Sequence, residues 1–217
     1  PDVAGNITPN ASSRIYDDKG RLITTVHAEE NRIPVPISQV PQNLQNAFVA
    51  AEDVRFYEHH GVDPRGILRA VFANLTSGNA TGQGGSTITQ QLARNAFLTQ
   101  EQTLKRKLLE VVLAFEIESK YTKKQILEMY MNQIYFGQGC YGIQTAAHVY
   151  FGKDVKDLSL SQCAMLAGLP NSPNYYSPFR SLEAAKYRQG IVLDQMAKYG
   201  YISAADAQAA KAADVHL

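Results

Sequence analysis

The sequence predicts a mainly α-helical domain with a small β-hairpin near its N-terminus. Apolar residues recur at helical spacing through most of the chain after residue 41. Two serines, Ser159 and Ser203, are each followed three residues later by Gln or Asp, a pattern that begins helices. Hydrophobic residues make up 45% and charged residues 19% of the 217 residues, which is typical of a chain that folds around a core.

The strand pattern is confined to the N-terminal part of the chain. Two short runs, 14–16 and 21–26, flank the turn-forming Asp-Asp-Lys-Gly at 17–20 and predict a β-hairpin. Three prolines then indicate an extended linker: Pro34, Pro36 and Pro41. We therefore predict a hairpin and linker region over residues 1–36 and a helical domain over residues 37–217.

Helical periodicity predicts eight segments after the linker. In chain order they lie at 44–51, at 67–75, from Ser86 or Thr87 onward, at 104–115, at 126–134, between Ser159 and Pro170, at 182–199 and at 203–213. The first of them ends at Glu52 and Asp53. The apolar stripe at 67–75 is flanked by Arg65 and Arg69, so it fits either a core-facing helix or a helix that lies in a lipid headgroup region.

Composition excludes several classes of protein. The formal net charge is +1, so no global field attracts nucleic acid and any anion site must come from a local cluster. Two cysteines, Cys140 and Cys163, cannot build a disulfide framework. No apolar run approaches the ~18 residues that span a bilayer. Because the chain has no initiator Met, we expect a piece of a longer or processed protein.

A first candidate site is the run that begins Glu52-Asp53 and continues through Phe56 to His59. A carboxylate at a helix C-terminus feels the negative end of the helix dipole, and shielding by Phe56 would raise its pKa further. This suits a general base that works near neutral pH. The alternative is a solvated acid pair at a helix end. The adjacent His59 and His60 lack partners at metal-ligand spacing, so we predict no metal site there.

A second candidate site is the glycine-rich segment that runs into Ser86, Thr87, Gln90 and Gln91. Backbone N–H groups at such a helix start can bind an anion, although the spacing is not that of a P-loop. The alternative is ordinary helix capping by Ser86 or Thr87. Arg94 follows on the same predicted helix and adds a positive charge.

A third candidate site is Arg106-Lys107 with Glu110, which share one face of a helix. Either these residues form intrahelical ion pairs worth a few tenths of a kcal/mol, or they hold an acid among cations beside a phosphate-bearing ligand. Two further runs are interpreted as structural: Glu128 and Asn132, spaced to contact each other, and the Ala/Leu helix that ends at Pro170. Motifs of penicillin-type acyl transfer, α/β-hydrolases and zinc proteases are absent from the sequence.

In this order, five segments resemble the glycosyltransferase domain of peptidoglycan synthases, glycosyltransferase family 51. They read EDVRFYEHHG, GGSTITQQLARN, RKLLE, KKQILEMYMN and AMLAGLP. The family occurs in class A penicillin-binding proteins and in monofunctional cell-wall transferases, and the N-terminal hairpin favours a truncated bifunctional protein. The resemblance implies a lysozyme-like bilobal fold, with a head lobe and a membrane-facing jaw lobe around residues 62–84.

The resemblance also implies an activity and residue roles. Lipid II, a disaccharide-pentapeptide on a polyprenyl diphosphate, would be polymerised into β-1,4-linked glycan with inversion and release of polyprenyl diphosphate. Glu52 would be the catalytic base, and Glu110 the second catalytic glutamate, which positions cations around the diphosphate. The other matched positions would bind substrate: Asp53, which also supports Glu52, Phe56, Ser86, Gln90, Gln91, Arg94, Arg106 and Lys107. Gln102 stands where many members of the family carry arginine, which could remove one cation from the donor site.

The same resemblance implies partners and a location. The partners would be lipid II, lipid-linked glycan, the membrane surface and moenomycin-type inhibitors, but not nucleic acid. The location would be the extracytoplasmic face of a bacterial cell membrane, in cell wall biogenesis and maintenance of cell shape, with the membrane anchor outside this chain. No cofactor is required by the motifs, although a divalent cation, Mg²⁺ or Mn²⁺, could bind near Glu110.

Two other functions remain open from the sequence. A lytic muramidase or transglycosylase would share a lysozyme-like fold, so the fold does not decide between synthesis and cleavage. The basic cluster favours synthesis, because an enzyme that cleaves neutral glycosidic bonds does not need several cations beside its acid. A catalytically silent glycan-binding module or membrane scaffold would bind without turnover, and the intact Glu52 and Glu110 argue against it.

Overall fold

The computed structural model describes residues 13–16, 22–26, 32–77, 85–97 and 103–217. Nine α-helices dominate this described part, so the predicted mainly α class is confirmed. They are α1 Gln42–Glu52, α2 Pro64–Ser77, α3 Ile88–Phe97, α4 Leu104–Lys120, α5 Lys123–Gln133, α6 Ile143–Phe151, α7 Leu160–Gly168, α8 Leu182–Lys198 and α9 Ala204–Ala212. Only α6 has no counterpart among the eight segments predicted from periodicity. None of the helices in the described ranges is long and apolar enough to cross a membrane.

Two short strands precede the helices. They are β1 Ser13–Tyr16 and β2 Leu22–Val26, which pair antiparallel with Ser13 opposite Val26. The turn expected at 17–20 lies outside the described residues, as does most of the glycine-rich segment before Ser86.

Local caps set several helix starts. Ser159 and Gln162 form the capping box expected before α7, in which the Gln162 backbone N–H donates to Ser159 Oγ at 3.2 Å. Ser203 caps α9 by accepting the Asp206 N–H at 3.0 Å. Each cap satisfies an N–H that the helix itself leaves without a partner. Both predicted helix starts are therefore confirmed.

The core joins α1 to the C-terminal helices and α3 to the middle of the chain. Helix α1 packs against α7 and α8, and α3 packs against α4 and α5. Phe48 of α1 lies at the centre, with its ring centroid 5.7 Å from that of Tyr130 and 6.1 Å from that of Phe136. This packing brings the end of α1 next to the start of α3, and both ends carry candidate site residues.

The proline linker is bound to α5 by the motif that we interpreted as structural. The Val35 N–H donates to Asn132 Oδ1 at 2.9 Å, and Asn132 Nδ2 donates back to the Val35 carbonyl at 2.9 Å. The Ile37 N–H donates to Glu128 Oε2 at 2.8 Å. Asn132 Nδ2 also donates to the Glu128 backbone carbonyl at 3.0 Å, which is the contact expected from their spacing. The linker at 35–37 is thus held on the helical body, and a domain boundary after residue 36 stays a prediction.

Two helices keep apolar faces outside the core. On α2, Leu68, Phe72 and Leu75 are 70%, 69% and 80% exposed, so the interpretation of this stripe as core-facing is wrong. On α4, Leu104 and Leu108 are 87% and 68% exposed. The spacing of these apolar residues predicted both helices correctly. Whether the apolar side chains are buried depends on which other helices pack against α2 and α4.

Gly142 allows α6 to begin against the end of α5, and this gives a test of the fold. Its φ of 83° with ψ of 155° is a conformation that essentially only glycine adopts, and an added Cβ would lie 2.7 Å from the Asn132 carbonyl oxygen. We expect Gly142→Ala to lower the free energy of unfolding by about 3 kcal/mol or more, from the strain and the clash together. The measurement is urea denaturation.

Gly152→Ala is the matched control for this prediction. Gly152 also has a positive φ, 62°, but nothing lies within 4 Å of an added Cβ. We expect it to lose only about 1–2 kcal/mol, which is the cost of the left-handed conformation alone. Equal losses in the two variants would show that the contact with Asn132 is not constraining.

Candidate active site

Glu52 is the last residue of α1, and its carboxylate lies between α3 and α8. Its side chain is 10% exposed. Gln91 Nε2 donates to Glu52 Oε2 at 3.3 Å, and Arg188 Nη2 lies 3.6 Å from Oε1. Within the described chain no group hydrogen-bonds the buried Oε1. One carboxylate oxygen is therefore held by Gln91, and the other is buried beside Arg188 without a hydrogen bond within the described chain.

Burial raises the pKa of Glu52 above its ordinary value. The positive charge of Arg188 opposes this rise most strongly, followed by the hydrogen bond from Gln91. The neighbouring charge of Asp53 raises the pKa, and that of Arg94 lowers it. The proton affinity of Glu52 is therefore increased, while Arg188 and Gln91 still stabilise its charged form. Both properties suit a general base that works near neutral pH.

Asp53 ties the end of α1 to the start of α3. Its Oδ2 lies 2.6 Å from His59 Nε2 and accepts the Ile88 N–H at 3.1 Å. Because His59 Nδ1 accepts the Gly61 N–H at 3.0 Å, the proton of the neutral ring is on Nε2 and faces Asp53. Both side chains are buried. This arrangement supports Glu52 by fixing the backbone around it. Direct substrate contact by Asp53 stays a prediction.

Phe56 packs in the protein interior. It is fully buried, with its ring 6.1 Å from that of His59 and with Lys123 Nζ 4.7 Å from its ring centroid. It has no exposed surface here that would support its expected contact with substrate. The described residues hold no cluster of three or more His, Cys, Asp or Glu side chains that could bind a metal ion, and the expected lack of a metal at His59 and His60 stays a prediction.

Thr87 and Gln90 form the helix start of α3. The Thr87 N–H donates to Gln90 Oε1 at 2.9 Å, and the Gln90 N–H donates to Thr87 Oγ1 at 3.1 Å. Thr87 Oγ1 donates in turn to the Gly61 carbonyl at 2.6 Å. The capping alternative therefore holds for Thr87. Gln90 is 2% exposed, and its substrate contact stays a prediction.

The second and third candidate sites meet around Glu110. Lys107 Nζ lies 2.9 Å from Glu110 Oε1 and donates to Ser86 Oγ at 2.9 Å. Arg94 Nε lies 4.0 Å from Glu110 Oε2. The Glu110 side chain is 1% exposed, whereas those of Lys107 and Arg94 are 51% and 35% exposed. A buried acid thus holds two cations whose outer surfaces can still receive an anion, which an ordinary surface ion pair does not provide.

Arg106 lies in the first turn of α4, where its backbone N–H donates to Thr103 Oγ1 at 3.2 Å. Its side chain is partly exposed, and its contribution to the anion site stays a prediction. Gln102, which stands where many members of the family carry arginine, lies outside the described residues.

A cleft of about 520 Å³ joins the base to the second candidate site. Its lining includes Glu52, Asp53, Ser86, Thr87, Arg69 and Arg188. Since Ser86 also accepts from Lys107, the cation cluster adjoins the cleft at this residue. The anion site therefore adjoins the cleft of the base at Ser86, although Arg94, Lys107 and Glu110 are not among the described residues that line it.

Arg188 is the site residue that sequence reasoning missed. Its Nε donates to the Gly168 carbonyl at 3.2 Å, and its guanidinium carbon lies 5.8 Å from the Tyr176 ring centroid. A Cβ at Gly168 would lie 2.8 Å from Arg188 Cγ, so the glycine in AMLAGLP makes room for the arginine. The glycine at position 168 is a sequence signal that a bulky side chain packs against this helix. However, no residue near Arg188 in the sequence indicates that it lies against Glu52.

Comparisons with known proteins identify relatives of this chain. The sequence model of one family, described as Transglycosylase, matches residues 19–197. Penicillin-binding protein 1F of Bacillus subtilis is 48% identical over 202 residues, which cover 93% of this chain and 28% of the relative. Penicillin-binding protein 1A of Escherichia coli is 50% identical over 205 residues, which cover 94% and 24%. The chain thus spans about a quarter of the length of these curated relatives.

A solved structure agrees with the sequence comparison. The 2.6 Å crystal structure of penicillin-binding protein 1A from Haemophilus influenzae matches with a TM-score of 0.50 and 26% sequence identity. The match covers 96% of this chain and 21% of that chain.

The balance between burial and Arg188 predicts how the pKa of Glu52 responds to mutation. We expect Arg188→Gln to raise that pKa further, because burial remains and the main opposing charge is lost. Gly168→Ala should act in the same direction by displacing Arg188. The measurement is an NMR titration of protein with ¹³C-labelled glutamate carboxyl groups. Arg180→Gln, which removes an exposed arginine that stacks on Tyr175, is the control. An unchanged or lowered pKa in the Arg188 variant would contradict the assignment.

The sign of the effect on stability follows from the same shift. A carboxyl group with a raised pKa stabilises the fold below its unfolded pKa, near 4.5, and that contribution is lost as the pH rises through the folded pKa. The free energy of unfolding of Arg188→Gln should therefore fall more steeply with rising pH than that of the unmodified protein.

Proposed function

This chain belongs to the transglycosylase family, and on that premise we propose that it polymerises lipid II into β-1,4-linked glycan strands with release of polyprenyl diphosphate. The resemblance predicted from the ordered motifs is confirmed at the level of the family. One observation carries the proposal: a buried carboxylate with a raised pKa lies in a cleft that adjoins, at Ser86, two cations held on a second buried carboxylate.

Glu52 would act as the general base. Its carboxylate, which lines the cleft, would accept the proton of the acceptor 4-hydroxyl. The acceptor oxygen would then form the new bond to the donor anomeric carbon with inversion, while the bond from that carbon to the diphosphate oxygen breaks. Gln91 would hold Oε2 of Glu52, and it is itself oriented by Tyr130, whose hydroxyl lies 3.4 Å from Gln91 Oε1.

The departing diphosphate takes the electron pair of the broken bond and needs charge stabilisation more than protonation. Arg94 and Lys107 would supply it, with Ser86 as a hydroxyl contact and Arg106 as a further cation. Glu110 keeps Arg94 and Lys107 in position before substrate arrives. Cations arranged in advance in a partly closed site stabilise a developing charge by several kcal/mol, on the order of that measured for oxyanion holes.

We also propose that a divalent cation could bind near Glu110, but only between Glu110 and the substrate diphosphate. Glu110 is one carboxylate already beside two cations, and Mg²⁺ needs about six oxygen ligands. The described residues alone do not fit a metal site. Proton removal by Glu52 and neutralisation by Arg94 and Lys107 do not require the ion.

A membrane surface would lie against α2 and α4. The exposed apolar side chains of α2 are Ile67, Leu68, Val71, Phe72 and Leu75, and those of α4 are Leu104, Leu108, Leu109, Val112 and Phe115. Apolar faces of this kind are typical of helices that lie in the headgroup region. This supports a membrane-facing jaw lobe, and its place on the extracytoplasmic face of a bacterial membrane follows from the resemblance alone. Residues 78–84 of that lobe lie outside the described residues.

The cation cluster also separates synthesis from cleavage. A lytic enzyme acts on a neutral glycosidic bond and has no diphosphate to neutralise, so Arg94, Lys107 and Glu110 would have no role in it. A silent glycan-binding module would have no need for a base with a raised pKa.

Glu52→Gln tests the base. We expect it to reduce polymer formation from lipid II by about 10²–10⁴-fold, which is the usual contribution of general acid–base catalysis. The measurement is the rate of glycan formation from radiolabelled lipid II in detergent. Incubation of the unmodified protein with finished glycan that lacks lipid diphosphate is the control. Shortening of that glycan, or unchanged synthesis by the variant, would contradict the proposal.

Lys107→Ala tests the donor anion site, with Lys105→Ala on the same helix as its control. Loss of a hydrogen bond to a charged group costs about 1.5–3 kcal/mol, so we expect affinity for a moenomycin-type phosphoglycolipid to fall roughly 10- to 100-fold. Lys105 is exposed and its variant should bind normally. The measurement is calorimetric titration, combined with thermal unfolding. If Lys107→Ala loses stability but not affinity, the residue forms only an ion pair.

A further inference from the structure

We propose that Glu118 of α4 is a positioning residue for the base Glu52, which it reaches through the Thr89 hydroxyl on α3. The inference rests on the proposed function and extends it from the cleft to a junction of helices outside the cleft. Neither Glu118 nor Thr89 is among the described residues that line the cleft. Their effect on the reaction therefore passes through residues that do line it.

One oxygen of Glu118 joins three helices. Its Oε1 accepts the Thr89 hydroxyl at 2.8 Å and lies 2.6 Å from Nζ of Lys123, the first residue of α5. The Glu118 side chain is 9% exposed, and Thr89 is fully buried. Hydrogen bonds to a charged acceptor are about twice as strong as those between neutral groups. This oxygen therefore fixes α3 against both α4 and α5.

Helix α3 transmits this position to the base. Gln91, two residues after Thr89, donates from Nε2 to Glu52 Oε2 at 3.3 Å. That distance lies just beyond the usual range of about 2.7–3.2 Å for an N–H···O hydrogen bond, so a small shift of α3 weakens or breaks the contact. Gln91 is one of the groups that oppose the raised pKa of Glu52. The position of α3 therefore affects the proton affinity of the base.

The same carboxylate supports the chain that follows Glu52. Lys123, which is held by Glu118, places its Nζ 4.7 Å from the ring centroid of the buried Phe56. A Cβ at Gly61 would lie 3.3 Å from Glu118 Cγ, so the end of this segment packs on the Glu118 side chain. The segment after α1 and the start of α3 thus meet at one residue. Loss of its contacts disturbs both supports of Glu52 without changing the base itself.

An ion pair between two residues of α4 provides the comparison. Lys120 Nζ lies 3.3 Å from Glu116 Oε1, and the two side chains are 37% and 29% exposed. This pair lies within one helix at the surface, where ion pairs contribute little to stability. Glu118 instead joins α4 to α3 and α5. Glu116→Gln is therefore the matched control for Glu118→Gln, because it makes the same chemical change on the same helix.

The test uses two substitutions at Thr89 that separate the effect of its hydroxyl from that of its shape. Thr89→Val removes the hydroxyl and keeps the volume, whereas Thr89→Ser keeps the hydroxyl and removes a methyl group. Glu118→Gln weakens the acceptor of that hydroxyl. The pKa of Glu52 is measured by NMR titration of protein with ¹³C-labelled glutamate carboxyl groups. The pH dependence of kcat and the KM for lipid II are measured in the polymerisation assay, and thermal unfolding reports stability.

We expect Thr89→Val to raise the pKa of Glu52, because burial remains and the hydrogen bond from Gln91 is weakened. The acidic limb of the pH profile of kcat should move to higher pH with it. Near neutral pH, kcat should fall roughly 10- to 100-fold, as for a misplaced catalytic group. The KM for lipid II should stay close to that of the unmodified protein, because Thr89 does not line the cleft. Thr89→Ser should recover most of the activity, even though its lost methyl group destabilises the fold.

Glu118→Gln should shift the pKa of Glu52 in the same direction as Thr89→Val, and Glu116→Gln should leave it unchanged. Loss of a negative charge that acts only through space lowers the pKa of a carboxyl group, so a decrease in Glu118→Gln would overturn the inference. An unchanged pKa in Thr89→Val, or equal shifts in Thr89→Val and Thr89→Ser, would overturn it as well. Failure of the unmodified protein to polymerise lipid II is a separate result. It would remove the proposed function, and the titration of Glu52 would still decide the inference.

Discussion

Removing the Glu52 carboxylate from water is unfavourable unless charged and polar groups replace part of its hydration. In this protein Arg188 and Gln91 do so from two different helices, while Oε1 is left without a hydrogen bond within the described chain. The packing of α1 against α8, and the proximity of α3, are therefore conditions for the chemistry of the site. A small movement of either neighbouring helix would change the proton affinity of the base.

The junction between α1 and α3 links this base to the anion site. Asp53 holds His59 and the Ile88 N–H, so the end of one helix is fixed to the start of the other. Helix α3 then carries Gln91 to the base and Arg94 toward Glu110 on α4. The distance between the base and the cations is thus set by a rigid helix rather than by a loop, which favours a reaction that needs both at once.

The apolar faces of α2 and α4 support the proposed relation of the site to lipid. Exposed leucine and phenylalanine side chains on a globular surface are unfavourable in water, and they persist here beside the polar cleft. The proposed amphiphilic substrate would resolve this, because its tail, its phosphates and its sugars need apolar, cationic and polar surroundings in that order. Lys107, beside Ser86, is placed for the middle part of such a molecule.

The sequence by itself determined the described helices other than α6, the caps at Ser159 and Ser203, and the family, because these depend on interactions between residues close in the chain or on ordered motifs. Glu52, Lys107 and Glu110 could be selected from sequence for the same reason. Tertiary packing alone decided that Arg188, 136 positions after Glu52, lies against the Glu52 carboxylate. It also decided that Gln90 and Phe56 are buried and that the apolar stripe of α2 stays exposed. Helical periodicity specifies which residues share a face, but whether that face meets a core, a cleft or a lipid depends on the helices packed around it.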